Sequence, residues 1–198
     1  NGTTMATTHI ISKDFKLWFG VDGSFFHEHP PKPGLIPGVE AATGSLGHGF
    51  SMALGMAYAS KISNRDNNVF ALLGDGECNE GVIWECALLA PKLNVDNFVG
   101  IIDFNKWQAT GRSREVTSIS PLADKWDAFG WHTQEIDGHD LTQICEALDT
   151  AKAVSNKPSM IIAHTVKGKG ISFMEDDNNW HYRTPNAEEL AAALAELQ

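Results

Sequence analysis

From Val69 onward, apolar runs of strand length alternate with helix-length amphipathic segments. Val69–Leu73 is continuous in apolar residues and stopped by glycine, and reads as a short buried strand of the kind common in parallel sheets. The pattern predicts a helix over Gly81–Leu93, a strand over Phe98–Asp103, a long loop, and a short helix near Leu122–Phe129. A strand over His132–Ile136, a helix over Leu141–Val154, a strand over Ser159–Thr165 and a helix over Ala187–Leu197 complete the chain. Upstream, "ATGSLGHGFSMALGMAYASKI" passes from a glycine-rich turn into a helix with Thr43 or Ser45 as its cap. Its small residues Ala53, Gly55, Ala57 and Ala59 admit close approach of another backbone. "DGSFFHEHPPKPGLIPG", from Asp22 to Gly38, reads as an ordered loop.

This βαβα order defines an α/β protein: a mostly parallel sheet with helices on both faces and ligands at the carboxyl ends of the strands. The loops after Leu73, Asp103 and Thr165 are the ones to search. At 198 residues and 42% hydrophobic content the chain reads as one domain, residues 1–198. A net charge of −10 without a basic block argues against nucleic acid or an anionic membrane as partner. The odd set Cys78, Cys86 and Cys145, without CxxC spacing, suggests a reducing compartment, and cytoplasmic location is the expectation. The start carries neither the basic region nor the apolar run of a signal peptide.

Two strand-end loops carry chemistry. In Gly74-Asp75-Gly76 the glycines allow backbone N–H groups to approach a phosphate, and the carboxylate suits a hard divalent cation. Asn105 follows the strand ending at Asp103, 30 positions after Asp75, and offers an amide oxygen from the neighbouring strand. A backbone carbonyl two residues on is a third candidate ligand, so the loops together describe a metal–diphosphate site. No G-x-G-x-x-G follows a first strand, which sets a nicotinamide-type dinucleotide module aside.

The spaced GDG…N pair resembles the thiamine diphosphate fingerprint, and the segments around it resemble the transketolase family. "PGVEAATGSLGHGFSMALGMAYA", "LLGDGECNEGVIWECALLA", "IIDFNKWQATG", "FGWHTQEIDGHD" and "TVKGKGISFMEDDNNWH" are similar to family segments in family order, from about Phe15 to the carboxyl end. The resemblance implies the thiamine diphosphate-binding fold, with Mg²⁺ or Ca²⁺ on the side chains of Asp75 and Asn105 and the carbonyl of Trp107. It implies that Gly74 and Gly76 border the diphosphate, that Gly44 and Leu46 pack beside the cofactor, and that Lys167 meets phosphate; a core position remains the alternative for Leu46, and a solvated one for Lys167. His181, in "NNWHYRTP", matches a histidine reaching the diphosphate and the reacting carbons. His29 matches a histidine contacting donor hydroxyls, with His27 as the competing position; His9, His132 and His164 are read as structural. Glu80 and Glu85 match carboxylates where the family's subunits meet, near the activating glutamate, and Glu80 also heads a helix, where its charge suits the dipole. Cys78 and Cys86 read as packing residues.

The family also has two upstream histidine-bearing stretches, similar to "SGHPG" and "KGHA", and neither occurs here. The expectation is therefore a diphosphate-binding domain lacking its upstream segment. The pyrimidine-binding and carboxyl-terminal domains are expected on a second subunit, with a heterotetramer as the assembly. The implied activity is transfer of a two-carbon ketol unit from a ketose, or ketose phosphate, to an aldose acceptor. The alternatives are thiamine diphosphate-dependent acyl transfer from a 2-oxo acid and a non-catalytic cofactor-binding subunit.

Overall fold

A computed structural model describes residues 21–24, 29–36, 38, 39 and 41–198. His9 and His27 lie outside the described residues. The elements in chain order are α1 (His48–Ile62), β1 (Val69–Gly74), α2 (Gly81–Lys92), β2 (Phe98–Phe104), β3 (Trp107–Gln108), β4 (Gly111–Arg112), α3 (Ser113–Val116), α4 (Leu122–Ala128), β5 (His132–Asp137), α5 (Leu141–Ala153), β6 (Ser159–His164) and α6 (Ala187–Glu196). Two 3₁₀ turns, Gly76–Asn79 and Asn178–His181, interrupt the loops.

The four long strands form one parallel sheet in the order β1-β2-β6-β5. Register aligns Gly74 with Asp103, Phe104 with His164 and His164 with Asp137, so the three loops singled out by the sequence leave the same sheet edge. One face packs against α1, α2 and α4 through Phe50, Leu54, Ala57, Ile83, Ala87, Phe98, Trp126 and Met160. The other packs against α5 through Val99, Ile161, Ala147 and Ala151. Layers on both faces follow from strands that are apolar in successive positions, as in β6, where Ser159–Ile162 are all buried.

Aromatic rings fix the first layer. Trp131 lies 4.9 Å from Trp126 and 5.6 Å from Phe98, centroid to centroid, and its indole N–H donates to Ala87 O at 2.9 Å. At Gly100 a Cβ would stand 2.4 Å from the Met160 side chain and 3.2 Å from the Phe50 ring, so only glycine lets these two meet across β2.

Two expectations are corrected. The region after Asp103 is not a plain loop: β3 and β4 pair antiparallel, Trp107 opposite Arg112, and α3 follows. The cap of α1 is neither Thr43 nor Ser45. Gly47, at φ 79°, takes that place, and its N–H donates to the Glu77 carboxylate at 2.7 Å. A carboxylate at a helix start suits the dipole, and this one comes from the turn after β1.

Candidate functional site

Asp75 is the first residue beyond β1 and is 1% exposed. Its carboxylate accepts from Ser113 Oγ at 2.6 Å, from Gly76 N–H at 3.1 Å and from the backbone N–H of Lys106. Its own N–H donates to Asp103 O at 3.2 Å, extending the β1–β2 ladder by one rung. Burial pushes the Asp75 carboxyl above its usual range and the nearby Asp103 carboxylate adds to this, while the three donors oppose it. Among the described residues no Lys, Arg or His forms an ion pair with Asp75.

The β2 end meets this group from the side. Lys106 adopts the left-handed conformation at φ 69°, reversing the chain just after Asn105. The reversal turns Lys106 N–H toward Asp75 and lets Lys106 O accept from Ser113 N–H at 3.0 Å. Asn105 Oδ1 accepts from Trp107 N–H at 2.9 Å. Lys106 thus ties the Asp75 turn to the segment that carries Asn105 and Trp107, the two loops from which spacing and the family resemblance draw the expected metal ligands.

The donor set fits a hard divalent cation: one buried carboxylate without an ionic partner, a second carboxylate nearby, a neutral amide oxygen and a backbone carbonyl. Among the described residues no three His, Cys, Asp or Glu side chains form a metal cluster, so a cation here depends on amide and carbonyl oxygens, water and phosphate. Space for phosphate exists at Gly74, where a Cβ would meet nothing within 4 Å. The buried Gln108 Nε2 and Asn178 Oδ1 lack hydrogen-bond partners, and Gln108 packs against Gly76, where a Cβ would lie 3.3 Å from its Cγ.

The other predicted residues surround this centre to different degrees. His29 packs on Gly44, where a Cβ would stand 2.3 Å from the imidazole Cδ2; with φ 116° as well, the position demands glycine. Leu46 is 47% exposed, which corrects the core alternative and leaves an apolar side chain bare beside the turn. Glu80 is the N-cap of α2 with its carboxylate making no capping bond, and Glu85 is exposed on the same helix. His181 ends the second 3₁₀ turn, and burial and then the Lys167 charge hold its imidazole below the usual range. His164 pairs with Glu135 at 2.6 Å on the far strands. Cys78 and Cys86 are buried thiols pushed up chiefly by burial, as packing residues should be.

Several participants were invisible in the sequence. Ser113 is buried on Asp75 but carries no motif signal. Arg112 and Asp176 join two loops 64 positions apart, and Glu77 joins α1 to the β1 turn across 30.

A parallel α/β sheet with its polar cluster at adjacent strand ends belongs to the class of open α/β proteins whose ligand sites lie beyond the carboxyl edge of the sheet. Within that class, residues 19–197 match the family model described as transketolase, thiamine diphosphate binding domain, and the chain belongs to the transketolase family. It is 38% identical over 194 residues, 98% of this chain and 68% of the relative, to one subunit of the apulose-4-phosphate transketolase from Phocaeicola vulgatus. It is 45% identical over 161 residues, 81% of this chain and 58% of the relative, to a 6-deoxy-6-sulfo-D-fructose transketolase subunit from a Clostridium species. Solved transketolases from Leishmania mexicana (TM-score 0.86, 30% identity, 95% of this chain) and Campylobacter jejuni (TM-score 0.84, 32% identity, 90% of this chain) share the fold; the chain covers 29% of each.

Proposed function

We propose that this chain is the diphosphate-binding subunit of a split, thiamine diphosphate-dependent transketolase that moves a two-carbon ketol unit from a ketose to an aldose. The observation that carries the reading is the buried, cation-deficient Asp75 held by the Asn105–Ser113 turn beside the open end of β1. The Asp75 and Asn105 side chains and the Trp107 carbonyl hold Mg²⁺ or Ca²⁺, while Gly76 N–H and the Lys167 ammonium face the diphosphate. Gly44 and Leu46 flank the cofactor. Thiamine diphosphate, when bound, supplies the carbanion and electron sink for cleavage beside a carbonyl.

His181, neutral at physiological pH, offers a ring nitrogen to the donor oxygens, with His29 as second contact. The names of two relatives refer to sugars, which supports a ketose or ketose phosphate donor over a 2-oxo acid. The partner carries the pyrimidine-binding and carboxyl-terminal domains and seats its activating glutamate near Glu80 and Glu85, in a heterotetramer. Three free cysteines support a cytoplasmic setting; among the described residues no helix is long and apolar enough to cross a membrane.

Native mass spectrometry of the complex isolated from its own host through a tag on this chain tests the reading, with and without thiamine diphosphate and Mg²⁺. The expected result is a second polypeptide and cofactor mass that appears only in the complex and disappears in Asp75→Ala. A chain that comes out alone and takes up no cofactor overturns it.

A further inference from the structure

Three N–H groups of the β3–β4 hairpin converge on one carboxylate, that of Asp176. The Trp107 indole N–H donates to Oδ1 at 2.8 Å and one Arg112 nitrogen to the same oxygen at 2.6 Å, while the second Arg112 nitrogen bonds Oδ2. Trp107 and Arg112 are direct cross-strand partners, and the guanidinium lies 3.7 Å from the indole centroid. A forked cation stacked on a ring and bidentate to a carboxylate has little freedom to rearrange. Because Lys106 O and Asp75 grip Ser113, the residue after Arg112, the hairpin is anchored at its base to the proposed metal cluster.

Asp176 is anchored on its own side to Lys167, proposed to face phosphate, and its neighbour caps the turn that carries His181, proposed to face the donor. The Asp176 backbone, in the left-handed region at φ 57°, donates its N–H to Lys167 O at 2.8 Å. Asp177 next to it caps the 3₁₀ turn that ends at His181, accepting from Asn179 N–H at 2.9 Å. Asn178 Nδ2 donates to the hairpin carbonyls of Gln108 at 2.9 Å and Ala109 at 3.3 Å, a second tie between the same two loops. Two non-glycine residues in the left-handed region, Lys106 and Asp176, flank the junction, a conformation that persists only where surrounding bonds enforce it.

We infer that Trp107, Arg112 and Asp176 form a coupling node that makes cation-dependent cofactor anchoring and placement of His181 and Lys167 interdependent. Arg112, Asp176 and the Trp107 indole act by positioning, apart from the Trp107 carbonyl proposed as a metal ligand, and the inference rests on the transketolase reading above. The experiment uses the complex isolated through a tag on this chain, in wild-type form and as Arg112→Ala, Asp176→Ala, the double variant, Arg112→Lys and Asp176→Asn. Equilibrium dialysis measures thiamine diphosphate uptake at fixed Mg²⁺, and steady-state kinetics measures the donor KM. Each alanine variant is expected to weaken cofactor uptake and to raise donor KM at least fivefold, with kcat changing less.

The double variant should lose less than the two singles summed, because both remove the same Arg112–Asp176 fork. Arg112→Lys and Asp176→Asn, which keep size but lose the fork or the charge, should fall between. Asp149→Ala, which breaks a surface pair on α5, should change neither quantity. If the alanine variants do not assemble, the two conservative variants carry the test. Wild-type uptake and KM in the variants, or a cofactor effect with donor KM unmoved, overturns the node. A wild-type complex that takes up no cofactor overturns instead the reading beneath it.

Discussion

A buried acid without a counter-ion is a local instability, and Asp75 is one. Its folded carboxyl is raised, so the fold holds this proton more tightly than the unfolded chain does, and stability at the site declines as pH climbs through the raised value. Asp75→Asn should therefore raise the melting temperature of the cofactor-free complex at neutral pH, by roughly 2–4 °C for each kcal/mol released. The gain should shrink toward acid, and Mg²⁺ with thiamine diphosphate should stabilise wild type alone; a scanning-calorimetry series over pH checks both. His181 carries the opposite sign: its proton is held more weakly when folded, so its contribution is full above the ordinary imidazole range and is lost as pH falls. Lys167→Met should move the His181 titration upward, though not fully to the ordinary value because burial is the larger cause; NMR of a histidine-labelled chain reads this.

Asp75, Asn105 and the glycines stand out in the sequence because each closes an apolar run of strand length, and the structure places them at the strand ends. Ser113, Arg112 and Asp176 do not stand out, since their roles come from partners 38 and 64 positions distant.

At the scale of elements, α1 shows why a helix can look featureless in sequence and be two-sided in space. Phe50, Ala53, Leu54, Ala57 and Ser60 face the sheet, while Met52, Gly55, Met56, Ala59 and Ile62 share the opposite, exposed face. The small residues noted in the sequence divide between the two, Ala53 and Ala57 inward, Gly55 and Ala59 outward. On α2, Leu88 and Leu89 are exposed as well, three and four positions after Glu85. Met56→Glu should weaken association with the second polypeptide at least tenfold while leaving the circular dichroism spectrum unchanged, with analytical ultracentrifugation of the mixed subunits as the measurement. Strands and long helices agreed with the sequence pattern to within a residue or so; β2 runs one residue past the expected Asp103. The hairpin was missed because two-residue strands show no periodicity, and the α1 cap because its carboxylate is remote in sequence.

At the scale of the whole molecule, the sheet brings the ends of β1, β2 and β6 to one edge and leaves the other end free of the chemistry. Everything proposed to touch cofactor or donor lies at or beside that edge. Among the described residues β1 is the strand on the sheet's margin, and Phe70 and Leu72 remain exposed while Ala71 and Leu73 are buried, so those residues leave one sheet face bare there. The chain spans 68% and 58% of two proteins it resembles, and under a third of the solved transketolases. Phe70→Lys, on the bare face, should leave cofactor uptake by the assembled complex within twofold of wild type, because the proposed metal ligands lie at the strand ends and not on this face; equilibrium dialysis decides it.

The bond from Gly47 to Glu77 gives the site a built-in reporter. One end of that bond is the amide that opens α1, beside the Gly44–Leu46 turn; the other is the residue two beyond Asp75. The Gly47 amide proton is shielded from exchange with solvent only while those two turns stay in register. Its exchange rate is thus a clock for how long the two turns proposed to flank the cofactor hold together before anything binds.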